Sequence, residues 1–405
     1  MKKTIYTVAL VLGGLWLSAQ TKPTENAVNF ELGSGLNFMA NDGLYAFHIR
    51  GMVQPYYGYE SIGEVPDAQY FNVRRSYLSF GGEAINEKFS FFVQLDFSNM
   101  NPLLDAWGAY EPWEDVQFTV GQKQNIANNR EMLFMENQLQ FADRSLLSST
   151  FSRTGREFGF FFDAKIGDKF GIVPQVAITS GDGRNSFGAD SRDVDLGGFK
   201  SAARLDVYPL GYFAEGNDVQ VADLMHESSP KLALGGAVSY NAGASNSVGE
   251  GHGDFSLYDR LGNSIYPDYR QLYADVLFKF QGFSLLGEYS VSTATALNGT
   301  FTTVTGDELM PTEISEYLAL GSSYNVQLGY VTRSGYAIDV RYTDVAQEFE
   351  QNTSSLVQNS NAMSLGLTKY FKGNALKIHA ALTSVQVEGV GGRQMLGELM
   401  LQVML

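Results

Sequence analysis

Residues 88–98 read KFSFFVQLDFS, in which Phe89, Phe91, Val93, Leu95 and Phe97 alternate with Ser90, Gln94, Asp96 and Ser98. A period of two puts the two sets on opposite faces of a strand, a pattern that a helix cannot present as one face. The same alternation predicts fifteen further strands, at 44–60, 69–82, 103–111, 115–122, 157–166, 169–180, 198–208, 231–241, 270–280, 283–292, 317–330, 335–344, 362–371, 375–387 and 394–405. Charges follow the polar face throughout: Arg50, Asp96, Asp105, Glu111, Lys200, Arg204, Asp206, Asp275, Lys279, Glu288, Asp339, Arg341, Lys377 and Glu398. Such strands belong either to soluble sandwiches, which hide the apolar face against a second sheet, or to a membrane barrel that shows it to lipid.

The connections decide between the two. After strands two, four, six, ten, twelve and fourteen they are tight, as in GGEAINE, PWE, GD, Gln281-Gly282, TRS and KGN. After odd strands they are mostly long and polar, as in 181–197, 242–269, 293–316 and 345–361. Sandwiches have no reason to sort loops by parity. A membrane barrel does, with periplasmic turns and longer extracellular loops. Segment 209–230 is the exception, long where a turn is expected. The expected fold is therefore all-β, a transmembrane antiparallel β-barrel of 16 strands over 44–405. Tyr56, Tyr57, Tyr110, Tyr208, Tyr330, Tyr370 and Phe371 near strand ends suit interfacial aromatic girdles.

The first 19 residues read as a secretory signal, with Lys2 and Lys3, an apolar run over 5–17, and Ser18-Ala19 as the cleavage site. That export predicts the outer membrane of a Gram-negative bacterium, with outer-membrane lipid and lipopolysaccharide as surroundings. Residues 20–43 read as a polar N-terminal extension containing one weak strand-like piece, 28–38. Removing Lys2 and Lys3 leaves 26 basic and 44 acidic side chains, a charge of −18. Nucleic acid is not a partner for that balance. Without cysteine there are no disulfides, thiolate metal sites or cysteine nucleophiles.

Between Gly121 and Gly159 the alternation fails for about thirty residues, a gap that marks functional loops. Lys123, Arg130, Arg144, Arg153 and Arg156 there face Glu131, Glu136, Asp143 and Glu157. The expectation is a long third extracellular loop, 123–156, folded inward to narrow the lumen. Those five cations are the candidate pore-constriction residues, and Arg50, Arg75, Asp96, Asp105, Lys200, Arg204 and Arg341 the candidate lumen lining. The same cations could instead pair with the loop's carboxylates and hold its shape. Arg74 and Arg75 are adjacent, so a regular strand would send them to opposite faces.

Arg74-Arg75, Leu95-Asp96-Phe97, Leu104-Asp105-Ala106-Trp107, Val120-Gly121-Gln122-Lys123, Arg130-Glu131, Phe141-Ala142-Asp143-Arg144-Ser145 and Arg156-Glu157-Phe158-Gly159 resemble, in order and spacing, the phosphate-selective porin O and P family. The likeness covers roughly 70–160 and thins beyond, with 324–342 the most family-like later part. It implies a sixteen-stranded, trimeric outer-membrane porin with its third loop folded inward, passing small hydrophilic solutes, anions or phosphate among them. Gln122-Lys123-Gln124-Asn125 departs from the family's usual run at that point, and acidic side chains match basic ones along the polar faces. Phosphate selection needs closely placed, desolvated cations, so the substrate does not transfer with the family.

Other chemistry has little support. His48, His226, His252 and His379 are scattered, without metal-ligand spacing, and no GxSxG nucleophile motif occurs. No catalytic residue, metal or cofactor is expected. The tract 180–195, SGDGRNSFGADSRDVD, approaches a calcium loop without meeting EF-hand spacing. A diffusion channel is the expected function. A non-conducting structural or adhesion barrel is the alternative, and a barrel enzyme would need His48 or His379 beside a serine.

Overall fold

The computed structural model describes residues 27–185, 198–248, 254–295 and 299–405, except positions 42, 64, 86 and 154. The predicted signal 1–19, most of the calcium-like tract and His252 lie outside the described residues. An N-terminal hairpin, β1 (Ala27–Glu31) and β2 (Gly35–Ala40), precedes β3 (Tyr45–Ile62), β4 (Val65–Ala84), β5 (Phe89–Asp96), β6 (Leu103–Trp113), β7 (Val116–Gln124), β8 (Arg156–Ala164) and β9 (Gly171–Thr179). Then come β10 (Lys200–Tyr208), β11 (Lys231–Asn241), a small loop hairpin of β12 (Leu257–Tyr258) and β13 (Ser264–Ile265), β14 (Tyr269–Phe280) and β15 (Phe283–Ala294). The chain ends with β16 (Gly321–Val331), β17 (Tyr336–Gln347), β18 (Ser360–Lys372), β19 (Leu376–Val387) and β20 (Gln394–Met404).

β3 to β11 and β14 to β20 pair antiparallel in sequence order, and β20 returns to β3 from Gln394↔Ile62 to Met404↔Met52. That closes a 16-strand transmembrane barrel with no open edge to aggregate. Burial is inverted relative to a soluble protein. Outward Phe160, Ile178, Leu367 and Leu399 are exposed, whereas inward Gln94, Arg204, Lys279 and Lys377 are buried. In a sandwich a second sheet would cover such apolar rows; a transmembrane barrel turns them outward. No described helix is long and apolar enough to cross a membrane; the crossing is made by strands.

Two local features differ from the sequence reading. Within the N-terminal extension the strand-like piece expected over 28–38 is a hairpin of two strands, and β2 pairs with β3 from Leu36↔Ile49 to Ala40↔Tyr45. β20 pairs β3 only from Met52 upward, so β2 covers the edge that remains. Gly33 N–H donates to Met404 O at 3.1 Å, and Lys372 lies 3.0 Å from Glu31. Strands one and two also run further than expected, to Ile62 and from Val65.

Candidate functional site

The interior of the barrel is crossed from both ends. From the long-loop end comes residues 125–155 (loop 3), shaped by α1 (Arg130–Leu133), a 3-10 turn (Glu136–Gln138) and α2 (Leu146–Phe151). Ser145 caps α2, its side chain accepting from Ser148 N–H, and a cap of this kind starts a helix without a long apolar run. From the short-turn end comes 209–230, the segment without an account in the sequence.

Wall charges hold loop 3 strand by strand. Arg130 lies 2.5 Å from both Asp206 on β10 and Asp275 on β14, and Arg204 joins the same two carboxylates. Asn129 Nδ2 and Glu131 N–H donate to Glu288 on β15, while Arg341 on β17 reaches Glu131 and Asp143 O. Lys377 on β19 donates to Asn137 O and Leu139 O. Arg156 at the start of β8 pairs with Asp105 at 2.9 Å and Glu136 at 3.4 Å, and Arg144 also reaches Glu136 at 3.1 Å. Burial works against ionising Glu136, but Arg156 and Arg144 hold its carboxyl well below the usual range.

The adjacent arginines both reach the interior through a β-bulge. Val53 pairs with Ser76 but Pro55 with Val73, so two β4 residues oppose one on β3. Arg74 then grips both Asp143 oxygens, at 2.9 and 2.7 Å. Arg75 donates to Gln54 Oε1 and Ala142 O and lies 3.6 Å from Asp143. Three predicted lumen positions also engage partners: Lys200 meets Glu157 at 3.3 Å, Arg50 donates to Ser34 O, and Asp96 accepts from Ser76 N–H, Ser98 and Asn99. Lys123 is buried, 5.2 Å from the Phe161 ring. Arg153 is exposed and donates to Ser247 Oγ, away from the ion pairs that Arg130, Arg144 and Arg156 make.

Segment 209–230 was invisible as a lumen element because its recognition is long-range. Lys279 on β14 donates to Asn217 O, Gln220 O and Ala222 O. Asp223 accepts from Gly282 N–H and Glu227 N–H. Phe213 and Val221 join Phe134 and Leu139 of loop 3 in one buried cluster with Val173, Leu277 and Leu286. Ala222 packs with Val331, Ala337 and Tyr370, so the segment spans the mouth from β10 to β18.

One hydrogen-bonded line has the order of a catalytic triad. Thr368 Oγ1 lies 2.8 Å from His379 Nδ1, and His379 Nε2 lies 3.1 Å from Glu398 Oε1. Its three members are nearly closed off: the Phe141 ring meets His379 edge-on at 5.8 Å, and Glu398 also accepts from Ala142 N–H. The line helps to hold loop 3, with Thr368 4% exposed and His379 fully buried. Among the described residues no cluster of His, Cys, Asp and Glu could hold a metal ion.

The class these features define is a transmembrane β-barrel with an inner loop across a polar lumen. No family model and no curated protein matches the sequence. Solved structures do. DcaP, an outer membrane channel of Acinetobacter baumannii, superposes with TM-score 0.55 at 12% identity, covering 89% of this chain and 97% of that one. Pseudomonas putida OprB gives 0.53 at 11% identity, covering 89% and 94%. OmpT of Vibrio cholerae gives 0.52 at 10% identity, covering 91% and 100%. At such identities the likeness establishes the fold.

Proposed function

We propose that the protein is an outer-membrane porin that passes small hydrophilic solutes by diffusion. The observation that carries this reading is the closed barrel's interior: polar and charged side chains face inward on strand after strand, with loop 3 narrowing the space they enclose. On this reading the short turns are periplasmic, the long loops meet lipopolysaccharide, and a leader ending near Ala19 directs export. Rate and selectivity come from pore width and lining charge, with no covalent step. Of the five cations proposed for the constriction, Lys123, Arg130, Arg144, Arg153 and Arg156, the three arginines at 130, 144 and 156 are matched by carboxylates, which favours weak ionic selectivity over a phosphate filter. Three copies form the proposed assembly, as one of the solved OmpT structures is described as a trimer.

The test is single-channel recording of the purified protein in a planar bilayer. A porin gives discrete steps of hundreds of picosiemens, the order for a wide aqueous barrel, in groups of three for a trimer. A folded but silent barrel sinks the reading and favours an adhesion or structural role for the long loops.

A further inference from the structure

The register of β3 to β6 builds an unusual patch on the lumen wall. His48, Gly81, Phe92 and Trp107 are paired across the four strands in one row, and Arg50, Ser79, Gln94 and Asp105 in the next row on the same face. Phe92 and Trp107 lie with ring centroids 5.9 Å apart. Gly81 leaves space for the imidazole, since a Cβ there would stand 2.3 Å from His48 Nε2 and push the ring aside. Without it the imidazole could not lean across β4 towards the rings.

Polar atoms in this patch lack protein partners. Both amide atoms of Gln94, His48 Nε2 and Trp107 Nε1 are buried with no hydrogen bond, as is Glu136 Oε2 on the loop above. Gln94 is 1% exposed. Buried polar groups are nearly always bonded, so several orphans together call for an explanation. Loop 3 meets the rings of the patch with Met135, an apolar contact without directional bonds, while its ionic ties beside the patch run from Arg74 on β4 to Asp143 and from Asp105 through Arg156 to Glu136.

We infer that the patch is a subsite for an uncharged polyhydroxylated solute of the sugar class. The inference rests on the porin reading and deepens it. Aromatic faces beside mixed donors and acceptors suit a molecule with apolar C–H faces and hydroxyls that both donate and accept. An anion would want cations, and those nearby are engaged: Arg156 by Asp105 and Glu136, Arg75 by Gln54 and Ala142 O, Arg50 by Ser34 O.

The experiment records current through the full-length protein while sucrose is added, with polyethylene glycol of similar size and inorganic phosphate as comparators. Sucrose is expected to block saturably, and the polyether to lower the current only in proportion to its concentration. In Gln94→Leu the half-blocking concentration rises about tenfold, the scale of one or two hydrogen bonds. In Trp107→Phe, which keeps a ring and loses the N–H, it rises less. Each variant is read against its own sugar-free current and checked for the heat-dependent gel shift of a folded barrel. Gln94→Leu removes unbonded atoms without leaving a cavity, so it folds. Equal effects of sucrose and polyether, block by phosphate alone, or an unshifted Gln94→Leu each overturn the subsite while leaving the porin standing. A folded wild-type barrel without current overturns both.

Discussion

At the scale of single residues, the lumen cations act as fasteners. Arg130 is 4% exposed and shares two carboxylates with Arg204. Replacing it by methionine leaves Asp206 and Asp275 with one guanidinium between them, a buried charge imbalance that costs about 3–5 kcal/mol. Arg130→Met is therefore expected to lower the temperature of the heat-dependent gel shift markedly while moving the reversal potential little. The opposite pattern, a stable barrel with altered selectivity, would make Arg130 a filter residue. Glu136 is the complementary case, because one carboxylate neutralises both Arg144 and Arg156. Glu136→Gln should shift the reversal potential towards anions, and an unchanged potential would show that neither arginine faces the ion path. The pH sign follows from the same pair. The folded carboxyl titrates below its ordinary value of 4.5, so its anchorage is complete above that pH and is lost only as pH falls through the lower folded value. Wild-type selectivity should accordingly be flat from pH 7 to about 5, a range a simple titration of the reversal potential covers.

At the scale of elements, alternation made the strands legible because a half-buried strand has a period that no other element shares. β16 shows it clearly, with Ser322, Tyr324, Val326 and Leu328 facing out against Ser323, Asn325 and Gln327. What escaped was set by tertiary partners. The bulge that turns Arg74 and Arg75 to the same side leaves no mark in local composition; it shows only as a misfit between two adjacent charges and a regular strand. The N-terminal hairpin exists because β3 outruns β20, a length mismatch unreadable within residues 27–40 alone. Segment 209–230 has no period at all, and Lys279, which binds three of its carbonyls, lies some sixty residues on. Replacing 213–226 by a short glycine-containing turn, together with Lys279→Met to avoid stranding a buried ammonium, should raise single-channel conductance about twofold by opening that mouth. Conductance that stays at the wild-type level would place the limiting constriction wholly within loop 3.

At the scale of the molecule, two charge balances differ, and the difference predicts behaviour. The whole chain is strongly acidic, at −16 formally. The lumen is nearer balance, because several of its carboxylates meet cations over short distances: Lys200 with Glu157, Arg156 with Asp105, Arg204 with Asp206 and Asp275, Arg341 with Glu131. Excess acid therefore sits outside the ion path, where salt screens it within about 10 Å at 0.1 M. Loop charges at the mouth bias entry of ions when salt is dilute and lose that influence when it is concentrated. The reversal potential in a fixed salt gradient should then show mild cation preference at low ionic strength and approach zero as both solutions are concentrated. A preference that survives concentrated salt would mean unscreened charge inside the lumen, and the ion pairs drawn across loop 3 would have to be open in the conducting state.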